Sequence, residues 1–170
     1  MGRDGARRAS FVYACHGFPT GLALGASFFL SLGDASRNGC KFFFTTISRC
    51  FAQRLPLLKA HITRAVELEP QIGTKNFRQQ FDKLILEPLS ALGDQRPLLI
   101  PVRLVVVIEA LDGCPESSEV EAIIELLRRL TDLGRVQVRV LVTSRSYPHI
   151  GEAMAKQQAR VYILGRSDLR

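Results

Sequence analysis

The sequence has little of what marks membrane proteins, disulfide-rich domains and disordered chains. No apolar run reaches the roughly 18 residues that a membrane-spanning helix needs, because the longest candidate, residues 98–108, is interrupted by Pro101 and Arg103. Four cysteines in 170 residues are too few for a disulfide scaffold. Since hydrophobic residues make up 46% and charged residues 23% of the chain, the composition also excludes a disordered chain and indicates one globular domain.

The spacing of the cysteines carries no metal-binding or redox signature. No two of Cys15, Cys40, Cys50 and Cys114 are separated as C-x-x-C. No histidine lies at zinc-ligand spacing from a cysteine pair. The N-terminus also lacks the apolar core of a secretory signal. We therefore expect reduced, mostly buried thiols in a cytoplasmic protein that has no membrane partner.

The charge balance is basic, with 23 Lys and Arg against 16 Asp and Glu, a net charge of +7. Such an excess permits contact with nucleic acid or with acidic surfaces. The arginines are scattered, however, and the densest pairs, Arg7-Arg8 and Arg128-Arg129, have no aromatic residues between them. The basic residues are therefore expected to form a solvated surface, and no nucleic-acid partner is expected.

Apolar runs and helical periodicity alternate along the chain after an irregular, glycine-containing segment at residues 1–23. Buried strands are predicted at residues 24–32, 104–108 and 136–142, with a final candidate at 160–164. Helices are predicted at residues 40–55, 56–69 and 75–92, with Thr74 as the cap of the third, and from 115–118 to Gly134. This alternation predicts an α/β domain in which a parallel sheet has helices on both faces.

Charged side chains follow two of the predicted strands. Glu109 and Asp112 come directly after the strand at 104–108, and Arg145 follows the strand at 136–142. Ligands bind at the carboxyl ends of strands in open parallel sheets, and carboxylates there can hold Mg²⁺ while an arginine meets a phosphate. Alternatively, Asp112 caps its own loop and Arg145 pairs with it. Composition and spacing leave both interpretations open.

The segment V-V-V-I-E-A-L-D-G-C at residues 105–114 resembles the Walker B segment of NACHT-type NTPases, which belong to the STAND class of signalling ATPases. It is similar in particular to the large fungal set with a nephrocystin-3-like N-terminal domain. Further similar stretches lie at residues 24–29, 41–47, 81–89 and 142–150. The resemblance covers about residues 24–165 and implies a P-loop NTPase-like fold, ATP and Mg²⁺ as ligands, and oligomerising cytoplasmic relatives as partners.

The sequence departs from this family at the positions that carry its chemistry. The P-loop motif G-x-x-x-x-G-K-[ST] does not occur in the 170 residues, and we expect the strand that would precede it to be missing too. The family's metal-binding Asp falls on Glu109, and its catalytic Glu falls on Gly113. The stretch Thr143-Ser144-Arg145 survives and resembles the segment that senses the phosphates. Arg7 and Arg8 offer charge near the N-terminus but no glycine-rich loop.

The resemblance therefore implies a partial NACHT-like domain at residues 24–165, between the segment 1–23 and a tail at 166–170. We expect a degenerate or fragmentary nucleotide-binding signalling domain with no catalytic residue, no ATP hydrolysis and no cofactor. If the family's function is retained, Glu109, Asp112 and Arg145 would bind the nucleotide, and the two carboxylates would bind Mg²⁺. The alternative is an interaction module without enzymatic activity, which associates with itself or with intact NACHT-type relatives.

Overall fold

The computed structural model describes residues 22–30, 40–94, 102–133 and 136–157. These residues form a parallel three-stranded sheet in the order β1-β2-β3, with β1 at Leu22–Phe29, β2 at Val102–Glu109 and β3 at Val136–Val142. The helices are α1 at Phe43–Arg54, α2 at Pro56–Leu68, α3 at Phe77–Phe81, α4 at Glu87–Asp94, α5 at Ser117–Arg128 and α6 at Pro148–Lys156. The predicted α/β fold with a parallel sheet and flanking helices is confirmed. The candidate strand at 160–164 and the pair Arg7-Arg8 lie outside the described residues.

The central strand is β2, which is buried along most of its length because its side chains are apolar on both faces. Leu104, Val106 and Ile108 join the main core, while Val105 and Val107 alternate with them and are buried on the opposite face. Such a run of β-branched residues suits a strand with neighbours on both sides. Strand β2 pairs directly with β1 and with β3, so the described ladder is continuous.

Helix α1 lies against β1 at a glycine. A Cβ atom at Gly25 would lie 2.6 Å from Cε1 of Phe51, so only glycine lets the helix approach this closely. The pairing of β1 with β2 shifts between Leu24 and Ala26, at the same point. The core at the start of α1 is aromatic: the Phe43 and Phe44 rings meet edge to face with centroids 4.9 Å apart.

The predicted helix at 75–92 differs from the structure at its start and in its middle. Thr74 is not its cap, because Thr74 lies in a 3-10 turn and the side chain of Asn76 accepts the hydrogen bond from the Gln79 amide, at 2.9 Å. The helix widens into a π-helical turn at Asp82–Leu86 before Pro88. Proline has no N–H to continue the ordinary ladder, and the wider turn accommodates its ring.

Helix α6 was missed by the sequence analysis. Its signals are Pro148 at the first helical position, which suits proline, and the buried pair Ile150 and Ala153 three residues apart. The helix lies beside α5, where Lys156 Nζ is 3.3 Å from a carboxylate oxygen of Glu121. Across all the described ranges, no helix combines the length and the apolar character that crossing a membrane requires.

Candidate functional site

The charged residues meet where β2 and β3 end, and Thr143 holds the two strand ends together. Its amide donates to the carbonyl of Ile108 at 2.8 Å, and its carbonyl accepts from the amide of Leu111 at 3.0 Å. Its hydroxyl oxygen accepts from the amide of Ala110 at 3.2 Å. These three contacts fix the direction in which the chain leaves β2, as the parallel register requires.

Ala110 turns the chain at this point in a conformation that non-glycine residues rarely adopt. Its φ of 56° and ψ of 52° lie in the left-handed region. Such a residue costs of order 1–3 kcal/mol and persists only where its surroundings hold it. The bond from Ala110 to Thr143 and the short 3-10 turn at Leu111–Gly113 supply that support.

Asp112 lies in this turn, and its carboxylate is bound by the chain that follows β3. One oxygen accepts from the Arg145 amide at 3.1 Å and from the Ser144 hydroxyl at 3.5 Å, and the other accepts from Arg145 Nε at 2.7 Å. The Asp112 side chain is only 4% exposed, while that of Arg145 is 62% exposed. The structure thus brings together two of the three candidate site residues, Asp112 and Arg145. They pair with each other, as in the alternative in which Asp112 caps its own loop.

Arg145 is held on one side and open to solvent on the other. The hydrogen bond to Asp112 is the main cause that raises the pKa of its guanidinium, with Tyr147 and the Asp112 charge adding to it. The guanidinium carbon lies 6.0 Å from the centre of the Tyr147 ring, which stacks on His149 with centroids 5.8 Å apart. Arg145 therefore stays cationic and keeps a fixed position beside Asp112.

Glu109 and Gly113 lie on the two sides of the Asp112 turn. Glu109 is the last residue of β2, partly buried, and its carbonyl accepts from the Leu30 amide at 3.0 Å. Gly113 is buried beneath Leu30, where a Cβ atom would lie 2.9 Å from Leu30 Cβ and 3.3 Å from its carbonyl carbon. The position that the family resemblance assigns to a catalytic Glu therefore has no room for a side chain unless Leu30 moves.

The next residue, Cys114, forms a disulfide with Cys40, which opens the 3-10 turn before α1. The two Cα atoms are 5.9 Å apart, although 74 residues separate them in the sequence. The expectation of reduced thiols is wrong for this pair. The two cysteines meet because the chain after β2 packs against the start of α1. Their spacing in the sequence did not predict this contact. Cys50 is a free, partly buried thiol.

Glu119, in the first turn of α5, lies beside this disulfide. The sulfur of Cys114 is 3.4 Å from Glu119 Oε2. Burial, and then the charge of Glu116, raises the pKa of the Glu119 carboxyl. Glu119 also lines a cleft of about 570 Å³, together with Lys41, Lys75 and residues of α3. The sequence analysis missed Cys40, Cys114 and Glu119 as a group.

The fold and the strand-end residues define an α/β domain with a parallel sheet and a charged turn at its carboxyl edge. A comparison with protein families finds a match to the family described as nephrocystin 3, N-terminal, over residues 13–145. The chain belongs to this family, and the predicted resemblance to nephrocystin-3-like N-terminal domains is confirmed. No curated protein and no solved structure matches the chain.

Proposed function

We propose that the chain is a degenerate nucleotide-binding signalling domain of the NACHT/STAND type, which acts in the cytoplasm and does not hydrolyse ATP. The family assignment and the parallel sheet support the scaffold part of this proposal. The contact between Asp112 and Arg145 carries the functional part, because both residues are candidates for binding the nucleotide and they bind each other instead.

The chemistry of Mg·ATP makes this contact costly to replace. Both Asp112 oxygens already accept hydrogen bonds, and a Mg²⁺ ion coordinated through them would have to compete with Arg145 and Ser144. A phosphate recruited by Arg145 would in turn leave the Asp112 carboxylate, whose side chain is almost fully buried, without its charged partner. If the nucleotide were bound, Glu109 and Asp112 would hold the metal ion and Arg145 a phosphate.

Turnover would need a base as well as binding. A well-positioned general base contributes about 10²- to 10⁴-fold to a rate, and the family's position for it is Gly113, packed under Leu30. The sequence also contains no G-x-x-x-x-G-K-[ST] loop, whose backbone amides would cradle the phosphates. Each of these departures reduces hydrolysis independently of the other.

Titration calorimetry with Mg·ATP tests this proposal on the 170-residue chain. The expected result is no heat above that of buffer dilution, with an intact P-loop ATPase as the positive control. A micromolar Kd that is lost in Asp112→Asn would overturn the proposal, because it would show a working site at this turn. Release of phosphate from ATP above the level of a boiled sample would overturn it as well.

A second function is favoured by the surface of β3. Among the described strands, β3 pairs only with β2, and Gln137, Arg139 and Leu141 are exposed on it. A strand whose second edge has no partner among the described strands, and which carries an exposed leucine, is a template for association with another chain. We propose that the domain associates through this edge with a second copy or with an intact NACHT-type relative, and that it does not bind nucleic acid.

Size-exclusion chromatography with light scattering tests the association. The wild-type chain is expected to form a dimer or to co-elute with a NACHT-type relative. Leu141→Lys is expected to restore the monomer, whereas Leu68→Lys, a matched change on the exposed face of α2, should leave association unchanged. A wild-type chain that elutes as a monomer and does not co-elute with the NACHT-type relative would contradict this proposal.

A further inference from the structure

Two cysteines and a glutamate from three separate parts of the chain meet beside the charged turn. Cys40 precedes α1, Cys114 follows the turn after β2, and Glu119 lies in the first turn of α5. One ligand atom from each, the two sulfurs and a carboxylate oxygen, all lie within 4.8 Å of one another. Neither the family resemblance nor the strand-end site accounts for this group, which we call the thiol–carboxylate cluster.

We propose that the thiol–carboxylate cluster binds one Zn²⁺ ion when its disulfide is reduced. Zinc is bound in proteins by thiolates at about 2.3 Å and by carboxylate oxygens at about 2.0 Å. A tetrahedral site with these bond lengths places a sulfur and an oxygen ligand roughly 3.5 Å apart. The distance from Cys114 Sγ to Glu119 Oε2 is 3.4 Å, so this pair already has the required separation.

The surroundings of the cluster suit a metal ion that enters from one side. The sulfurs are buried, since Cys40 is 0% and Cys114 is 5% exposed, and a buried pair of thiolates needs a cation to balance its charge. Glu119 is partly exposed and lines the neighbouring cleft, which gives an ion a path from solvent. The described residues supply three protein ligands, so among them the fourth position is open on the side of this cleft, where water can enter.

The oxidised and the metal-bound states exclude each other. A small dithiol reductant transfers two electrons and two protons to the Cys40–Cys114 disulfide and itself becomes a disulfide. The two thiols formed then lose their protons to solvent as Zn²⁺ binds the two thiolates. The loop after β2 is therefore tied to the start of α1 in both states, by the S–S bond in one and by the metal ion in the other. This inference does not rest on the proposed function.

Cobalt titration of the reduced chain is the first test, because Co²⁺ takes zinc sites and its thiolate bonds absorb in the near ultraviolet. The untagged 170-residue protein is reduced, freed of reductant without air, and shown to have four titratable thiols. We expect one equivalent of Co²⁺ to bind with the charge-transfer absorbance of two thiolates, and Zn²⁺ to displace it. The disulfide-bonded protein is expected to show no such band.

Variants assign the ligands. Cys114→Ser should remove about half of the charge-transfer absorbance per bound Co²⁺, since one thiolate of the two is lost. Glu119→Gln should keep the thiolate band but weaken binding by at least about tenfold. Cys50→Ser is the matched control, because Cys50 is a free thiol outside the thiol–carboxylate cluster, and it should behave as wild type.

Three results would overturn the proposal. The first is a fully reduced wild-type chain that binds no Co²⁺ or Zn²⁺ more tightly than the disulfide-bonded chain does. The second is a thiolate band that survives unchanged in Cys114→Ser, and the third is one that disappears in Cys50→Ser. If Cys114→Ser does not fold, as circular dichroism would reveal, the comparison of reduced with oxidised wild-type protein still decides.

Discussion

Gly113 offers a direct test of how tightly the turn after β2 is packed. A methyl group at this position would lie 2.9 Å from Leu30 Cβ and 3.3 Å from the Leu30 carbonyl carbon, closer than carbon atoms pack. Relief requires Leu30 or the turn to move, and overpacking of this kind typically costs about 1–3 kcal/mol. We therefore expect Gly113→Ala to lower the free energy of unfolding by that amount.

Gly113→Glu tests stability and ATP hydrolysis together, because it places the family's catalytic residue type at this position. Its side chain is larger than that of alanine, so the loss of stability should be at least as great and no ATP hydrolysis should appear. Gly151→Ala is the matched control: Gly151 lies within α6 and a Cβ there meets nothing within 4 Å. Alanine should stabilise that helix by about 0.5–1 kcal/mol.

Urea unfolding followed by circular dichroism measures all three variants against wild type, with the midpoint and the slope of each transition compared. A Gly113→Ala variant as stable as wild type would show that Leu30 does not press on this position. ATP hydrolysis by Gly113→Glu would refute the packing argument, and it would also refute the proposal that the pairing of Asp112 with Arg145 keeps nucleotide from binding.

Three further changes test the caps and charges around the site. Asn76→Ala should cost about 1 kcal/mol in urea unfolding, whereas Thr74→Ala should cost clearly less, since Asn76 caps α3; equal losses would contradict this. Asp112→Asn should lower the free energy of unfolding by about 1–2 kcal/mol, a modest loss because solvent screens the exposed Arg145 side chain. An unchanged urea midpoint would show that the ion pair contributes nothing to stability. Burial raises the pKa of Glu119 above its ordinary 4.5. The protonated Glu119 carboxyl therefore contributes fully to the free energy of unfolding below pH 4.5, and this contribution is lost as the pH rises through the pKa of Glu119 in the folded chain. In the disulfide-bonded chain, Glu119→Gln should therefore gain stability relative to wild type between pH 4.5 and neutrality, and a constant difference across that range would contradict the assigned shift.

The sequence predicted the strands and most helices because their signals are local. The run from Leu104 to Ile108 has one interpretation as a buried strand, and the structure extends it by only a few residues. The predicted start of α3 was wrong because Thr74 and Asn76 are both good capping residues. The choice between them depends on tertiary geometry, which the sequence does not show. The π-helical turn before Pro88 changes no apolar position, so periodicity does not reveal it.

The candidate site was predictable only in part. Strand-end positions placed Asp112 and Arg145 at one edge of the sheet, but whether they face a ligand or each other depends on the loop conformation, and the structure pairs them. The Cys40–Cys114 pair was missed because spacing rules describe ligands within one motif, and 74 residues separate these two.

The turn after β2 has a structural role at each of its positions. Ala110 turns the chain and is held by Thr143, and Asp112 is bound by Arg145. Gly113 lies under Leu30, and Cys114 is bonded to the start of α1. A catalytic loop must leave some side chains able to exchange partners during a reaction cycle, because substrate and transition state make different demands. Here each residue that could exchange partners already has one, so the same contacts that stabilise the turn oppose its use for hydrolysis.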